Sequence, residues 1–184
     1  MRTEVTAGPL EAVDADLHVT GLAQGEELDD AYRELPGAGD TRGGFRKHTL
    51  LRPDAGRRLL VVGLGKRDEL DPERLRICGA VAVAQAARYE ATTIAWSLPE
   101  SGGAGVTPAT LAAGLVEGTI LSSFRFDRFK SRDPDDPPPP ALERLVISAP
   151  GSAGDLDGAV TRARVAAQAA NRAREHQALP ANVV

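Results

Sequence analysis

Three histidines, His18, His48 and His176, are the residues best suited to ligate a metal or to move a proton near neutral pH. They stand far apart, none has a second ligand at metal spacing, and each reads as a residue on the surface of a strand or helix. The motifs HExxH, CxxC and GxSxG do not occur. Cys78 is the only cysteine, so neither an intrachain disulfide nor a thiolate zinc cluster can be built, and a reducing compartment is expected.

The acidic pairs Glu26/Glu27, Asp29/Asp30 and Asp135/Asp136 fall on a short polar helix or in a proline-rich loop, where solvated surface is the default. Gly63-Leu64-Gly65-Lys66-Arg67 follows an apolar strand and precedes a helix, the place where α/β proteins cradle phosphate. Its pattern departs from both phosphate-binding fingerprints, because Arg67 stands where a P-loop needs Ser or Thr and a third glycine is missing. It reads as a structural turn carrying solvated cations, with phosphate binding as the alternative. Asp14 and Asp16 share one side of an extended segment. They read as the solvated start of a strand, the alternative being a grip on a ribose or nucleobase.

Six strands are expected to position these groups: Thr3 to Ala7, Asp16 to Gly21, His48 to Arg52, Arg58 to Gly63, Thr92 to Leu98 and Arg144 to Ala149. RLLVVG, residues 58–63, has no polar face and should lie in the middle of the sheet. A first long helix opens at Asp71, with Pro72 at the first helical position and Glu73 in the first turn. From Ile77 to Ala87 its only polar side chain is Gln85, which predicts contact with the sheet over most of its circumference.

A second helix starts at Thr107-Pro108 and runs to about Ser123, with Glu117 its sole charge. Gly114 and Gly118, a turn apart, would each cost about 1 kcal/mol against alanine in an exposed helix, so close packing must offset them. A third helix is expected from the capping-box spacing of Ser152 and Asp155, burying Val160, Ala163, Ala167 and Ala170, with Arg162, Arg164, Arg172 and Arg174 on its other face. Leu35 to Gly44 and the proline-rich Ser131 to Pro140 read as loops.

The 184 residues, 42% of them apolar, suffice for one core. The balance of 22 basic against 26 acidic side chains, net −4, provides no cationic field for nucleic acid or anionic lipid. No apolar run approaches the roughly 20 residues that span a bilayer, and a cytoplasmic location is expected. On residues alone the chain is an α/β domain to which no catalytic, metal-binding or ligand-binding residue can be assigned.

Three stretches together resemble the N-terminal domain of the leucyl aminopeptidase (cytosol aminopeptidase) family of metallopeptidases. They are the strand and alanine-rich helix from Leu60, the segment Glu117 to Ser131 with its Phe124-Arg125-Phe126-Asp127-Arg128-Phe129-Lys130 core, and the exit from Ala169 to Val183 through Asn171, Arg172, Ala173 and Arg174 to Pro180-Ala181-Asn182. At that exit Ala178 stands where the family usually has Asn, and His176 where an aliphatic residue is common. The resemblance implies a macro-domain-like mixed β-sheet of about six strands flanked by helices on both faces. It implies a domain at 1–178, with 179–184 as the start of a linker to a separate catalytic domain.

In the family that catalytic domain holds two divalent ions, usually zinc, manganese or magnesium, through a lysine, aspartates and a glutamate. Its octapeptide Asn-Thr-Asp-Ala-Glu-Gly-Arg-Leu is not found in these residues, so no catalytic or metal ligand transfers to any position. The implied role is assembly of a hexamer and control of access to its active sites, the fragment itself being inactive. Two alternatives remain at this stage: a macro-type module binding ADP-ribose or a related nucleotide through Gly63 to Lys66 and Asp16, and DNA binding through Arg125, Arg128, Lys130 and Arg132.

Overall fold

A computed structural model describes the chain apart from residues 55, 101, 102, 104, 130–137, 152 and 181–184. The strands are β1 (Arg2–Thr6), β2 (Leu17–Ala23), β3 (His48–Leu51), β4 (Leu59–Gly65), β5 (Thr93–Ser97) and β6 (Arg144–Ser148). The helices are α1 (Asp30–Arg33), α2 (Pro72–Arg88), α3 (Pro108–Ser122) and α4 (Asp157–Ala178). One mixed sheet has the order β1-β6-β5-β2-β4-β3, parallel throughout except that β3 runs antiparallel to β4.

Period-two alternation divides the core between the two faces of this sheet. Leu17, Val19, Leu60, Val62, Ile94, Trp96, Leu145 and Ile147 point to the side covered by α2, α3 and α4. Leu22, Leu59, Val61, Ala95 and Val146 point to the other side, where Leu10, Leu28 and Ala38 close a smaller cluster with Tyr32 and Leu35. The expected mixed sheet between helical layers is present, and the layers are unequal. Three long helices cover one face, whereas among the described residues the second has only the four-residue α1 and 3-10 turns at Leu10–Ala12 and Ala38–Asp40.

Helix α2 starts where its cap requires, the Asp71 carboxylate accepting from the Arg74 amide at 2.7 Å. At α3 the Thr107 and Thr110 hydroxyls each accept from the other residue's amide, a reciprocal capping box. Only one face of α2, through Leu75, Cys78, Ala82 and Ala86, joins the core over the sheet. Much of its remaining circumference is taken by α3, which corrects the expectation of contact with the sheet nearly all round.

Gly114 and Gly118 of α3 lie against the α2 backbone, where an added Cβ would overlap the carbonyl oxygens of Pro72 and Arg76. Gly79 of α2 answers with its Cα facing the Leu115 carbonyl, 3.0 Å from where a Cβ would stand. Glu117 pairs across this seam with Arg76, Nε to Oε2 3.1 Å, which accounts for the lone charge of α3.

Helix α4 departs from expectation at its start. It begins at Asp157 with Leu156 at the cap position and no side-chain capping bond, and Ser152 lies outside the described residues. Val160, Ala163 and Ala167 are buried as their spacing requires, but Ala170 is exposed, because one turn later the helix has run past the sheet.

Candidate functional site

The glycine-rich stretch is strand rather than turn. Gly63, Leu64 and Gly65 complete β4, and every residue of that strand is buried. The loop at 43–47 lies against it: the Gly63 amide donates to the Lys47 carbonyl at 2.7 Å, the Gly65 amide to the Gly43 carbonyl at 2.9 Å, and the Gly63 carbonyl accepts from the Arg46 amide at 3.0 Å.

A phosphate cradle needs convergent free amides, and these are already used. The cations after the strand are committed as well. Lys66 lies 3.3 Å from Glu69, while Arg67 forks onto the Glu26 carboxylate at 2.7–2.8 Å and donates to the Glu100 carbonyl at 2.9 Å. The nucleotide-binding alternative therefore loses its main element.

Asp16 does bind something, but within its own sheet. Its Oδ2 accepts from the Thr92 amide at 2.8 Å, the Thr92 hydroxyl at 2.9 Å and the Thr93 amide at 2.9 Å. The carboxylate thus holds the start of β5 beside the start of β2. Burial acts to raise its pKa, yet the bonds from Thr92 and Thr93, aided by the Arg58 charge, outweigh it and leave the pKa below the usual 3.8.

A carboxylate whose folded pKa is depressed contributes stability that is complete above its unfolded pKa and is lost as pH falls through the folded value. We expect Asp16→Asn to lower stability at pH 7 by about 1 kcal/mol. In urea titrations the gap between variant and parent should close as pH drops below 3.8; a gap unchanged down to the folded pKa would refute the assignment. Asp14 contributes its backbone carbonyl, which accepts from the Arg144 guanidinium.

Of the three histidines, His48 and His176 are exposed, on β3 and in the last turn of α4, as expected. His18 corrects the reading of all three as surface residues: it is 5% exposed on the thinner side of the sheet, and its Nε2 donates to the Val13 carbonyl at 2.8 Å. Sequence spacing hides this, because the 3-10 turn that covers His18 comes from six to eight residues upstream in the chain.

Asp29 caps α1 through the Ala31 amide at 2.9 Å, while Glu27 and Asp30 pair with Arg33 at 3.0 and 2.8 Å. Asp135 and Asp136 lie outside the described residues. Among the described residues no three His, Cys, Asp or Glu side chains gather as metal ligands, so this donor set does not fit a two-ion centre. Cys78 is buried, and burial pushes its thiol up to about 12 despite the nearby Arg74 charge.

One cluster of sequence features does converge. After α3 the chain turns through Phe124, Phe126 and Phe129, and the Phe126 and Phe129 rings meet at 5.8 Å. Helix α4 reaches the same place: Asn171 Nδ2 donates to the Ile120 carbonyl at 2.8 Å, and the Arg174 guanidinium donates to the Leu121 carbonyl at 2.9 Å while lying 4.9 Å from the Phe124 ring centre.

These carbonyls belong to the last turn of α3, which has no helical partners for them. Two residues of one helix thus cap the end of another, a link that local spacing could not disclose. Arg125 donates to the Pro139 carbonyl at 2.6 Å and stands 3.4 Å from Asp127, and Arg128 lies 5.5 Å from the Phe129 ring centre. Lys130 and Arg132 lie outside the described residues, and the DNA-binding alternative gains no cationic surface from this arrangement.

Residues 13–133 match the family model described as the cytosol aminopeptidase family, N-terminal domain. A probable cytosol aminopeptidase of Roseiflexus castenholzii is 33% identical over 187 residues, covering 99% of this chain and 38% of that protein. One from Synechococcus elongatus is 36% identical over 128 residues, covering 70% and 24%.

Among solved structures, a tomato leucine aminopeptidase mutant superposes with a TM-score of 0.79 at 21% identity over 100% of this chain and 39% of its own. The bottromycin maturation enzyme BotP gives 0.71 at 23% identity over 92% and 34%. At that identity the two structures establish the fold alone. The chain spans between 24% and 38% of the length of the curated relatives it matches. The family model spans two of the three stretches that resemble the family, from Leu60 and from Glu117, and the chain belongs to the cytosol aminopeptidase family, as its N-terminal domain.

Proposed function

We propose that this domain is the non-catalytic part of a metal-dependent aminopeptidase that releases N-terminal residues, leucine among them, from peptides in the cytoplasm. The observation that carries the reading is one of extent: alignment over 99% of this chain accounts for only 38% of a probable cytosol aminopeptidase. The reaction centre is then in the remaining, C-terminal part, where two divalent ions such as zinc, manganese or magnesium activate water for attack on the peptide carbonyl.

Residues 1–178 form the domain, and 179 onward lead towards that catalytic part. The domain's work is assembly of subunits into a hexamer and control of access to the active sites. No helix of the described residues is long and apolar enough to cross a membrane, which is compatible with this setting.

The test is hydrolysis of a leucine anilide with each of the three metals. The full gene product should turn it over, and the purified 184-residue chain should not. Metal-dependent turnover by the 184-residue chain itself would overturn the division of labour, and a full product inactive on N-terminal residues would overturn the activity.

A further inference from the structure

The chain is poor in aromatic residues, 4% in all, yet three of its four phenylalanines fall within the six residues 124–129. None of the three is buried, and Phe129 is 53% exposed, one of two large hydrophobic side chains in that condition among the described residues. An aromatic pair held outside the core is a candidate interaction surface.

The patch is also built. Phe124 is held by Arg174, Phe126 and Phe129 hold one another, and Arg128 lies over Phe129. Beside it a cleft of about 490 Å³ opens between Ala80, Val83, Ala84 and Ala87 of α2 and the segment from Pro138 to Leu142.

Building on the functional reading above, we infer that Phe124, Phe126 and Phe129 form the seat on which the C-terminal part of the same polypeptide docks. Two observations select that occupant. The matched family region is N-terminal, and 62% of the Roseiflexus relative lies outside the 38% this chain aligns with, so most of such a protein is available to cover the patch.

The other observation is position. Arg174, one turn before the end of α4 at Ala178, touches Phe124, so chain continuing beyond α4 starts out beside the aromatic segment. A tethered partner has a high effective concentration, which lets a patch of three rings suffice where a free partner would need a standard interface.

Hydrogen exchange on the full gene product and on the 184-residue chain tests this. The amides of residues 124–129 should exchange about tenfold more slowly in the full product. Phe129→Ser should return them to the rate of the isolated chain while leaving the melting temperature of that chain unchanged, since the side chain is half exposed there.

Equal rates in an active, longer product would overturn the inference and leave the functional reading standing. Protection that appears in the isolated chain as its concentration rises would assign the seat to a second copy, and so would also overturn it. A gene product that ends near Val184 would remove the functional reading and this inference together.

Discussion

Gly118→Ala should lower the unfolding free energy by about 3 kcal/mol, even though alanine is the better helix former by about 1 kcal/mol. The new methyl group would overlap the Arg76 carbonyl oxygen, and that oxygen belongs to the backbone of α2, so no side-chain rotation can relieve it. Either α3 moves away from α2 or the α2 hydrogen bonds distort. Separation would also pull Glu117 from Arg76 and open Leu111 and Leu115, both fully buried.

Urea unfolding of the variant provides the measurement, with Gly39→Ala as control because a Cβ there meets nothing within 4 Å. The control should fall within about 0.5 kcal/mol of the parent. A Gly118→Ala protein as stable as the control would show that the seam between the helices is looser than its geometry indicates.

Gly63→Ala should be comparably damaging for a different reason. A Cβ at Gly63 would overlap the Gly44 carbonyl oxygen and drive the 43–47 loop off β4. Two hydrogen bonds, from Gly63 to Lys47 and from Arg46 to Gly63, would then be broken within a buried strand.

Leaving such groups unpaired costs about 1–3 kcal/mol each, less whatever water recovers. We expect a loss of about 3 kcal/mol in urea unfolding, with faster hydrogen exchange at the Gly63 and Gly65 amides before global unfolding. Unchanged exchange at these two amides would remove the loop from its assigned role.

β4 could be read in the sequence because burial leaves a local trace: RLLVVG has no polar face and is covered on both sides, but the sheet places it between β2 and the edge strand β3 rather than in the middle, since strand order leaves no such trace. Asp71-Pro72 and Thr107-Pro108 were readable as helix starts because caps act over three residues. Gly114 and Gly118 announced a close neighbour without naming it, since a helix backbone approaching from elsewhere in the chain leaves no mark at its partner's position.

The same limit hid the ties that matter most around the candidate sites. Asp16 finds Thr92 across 76 residues, Arg67 finds Glu26 across 41, and Arg174 finds Leu121 across 53. The Gly63 turn misled for a related reason. Glycine there signals another backbone pressed against the strand, and the sequence pattern of that requirement is shared with a loop that admits phosphate.

The order of strands also fixes a timetable for the growing polypeptide. Among the described residues β1 has β6 as its only neighbour, Arg2 standing opposite Arg144, so β1 cannot take its native place until the chain around Arg144 has left the ribosome. Chain emerging in between can already pair β2 with β4 and β5, and β1 must wait unmatched while they do.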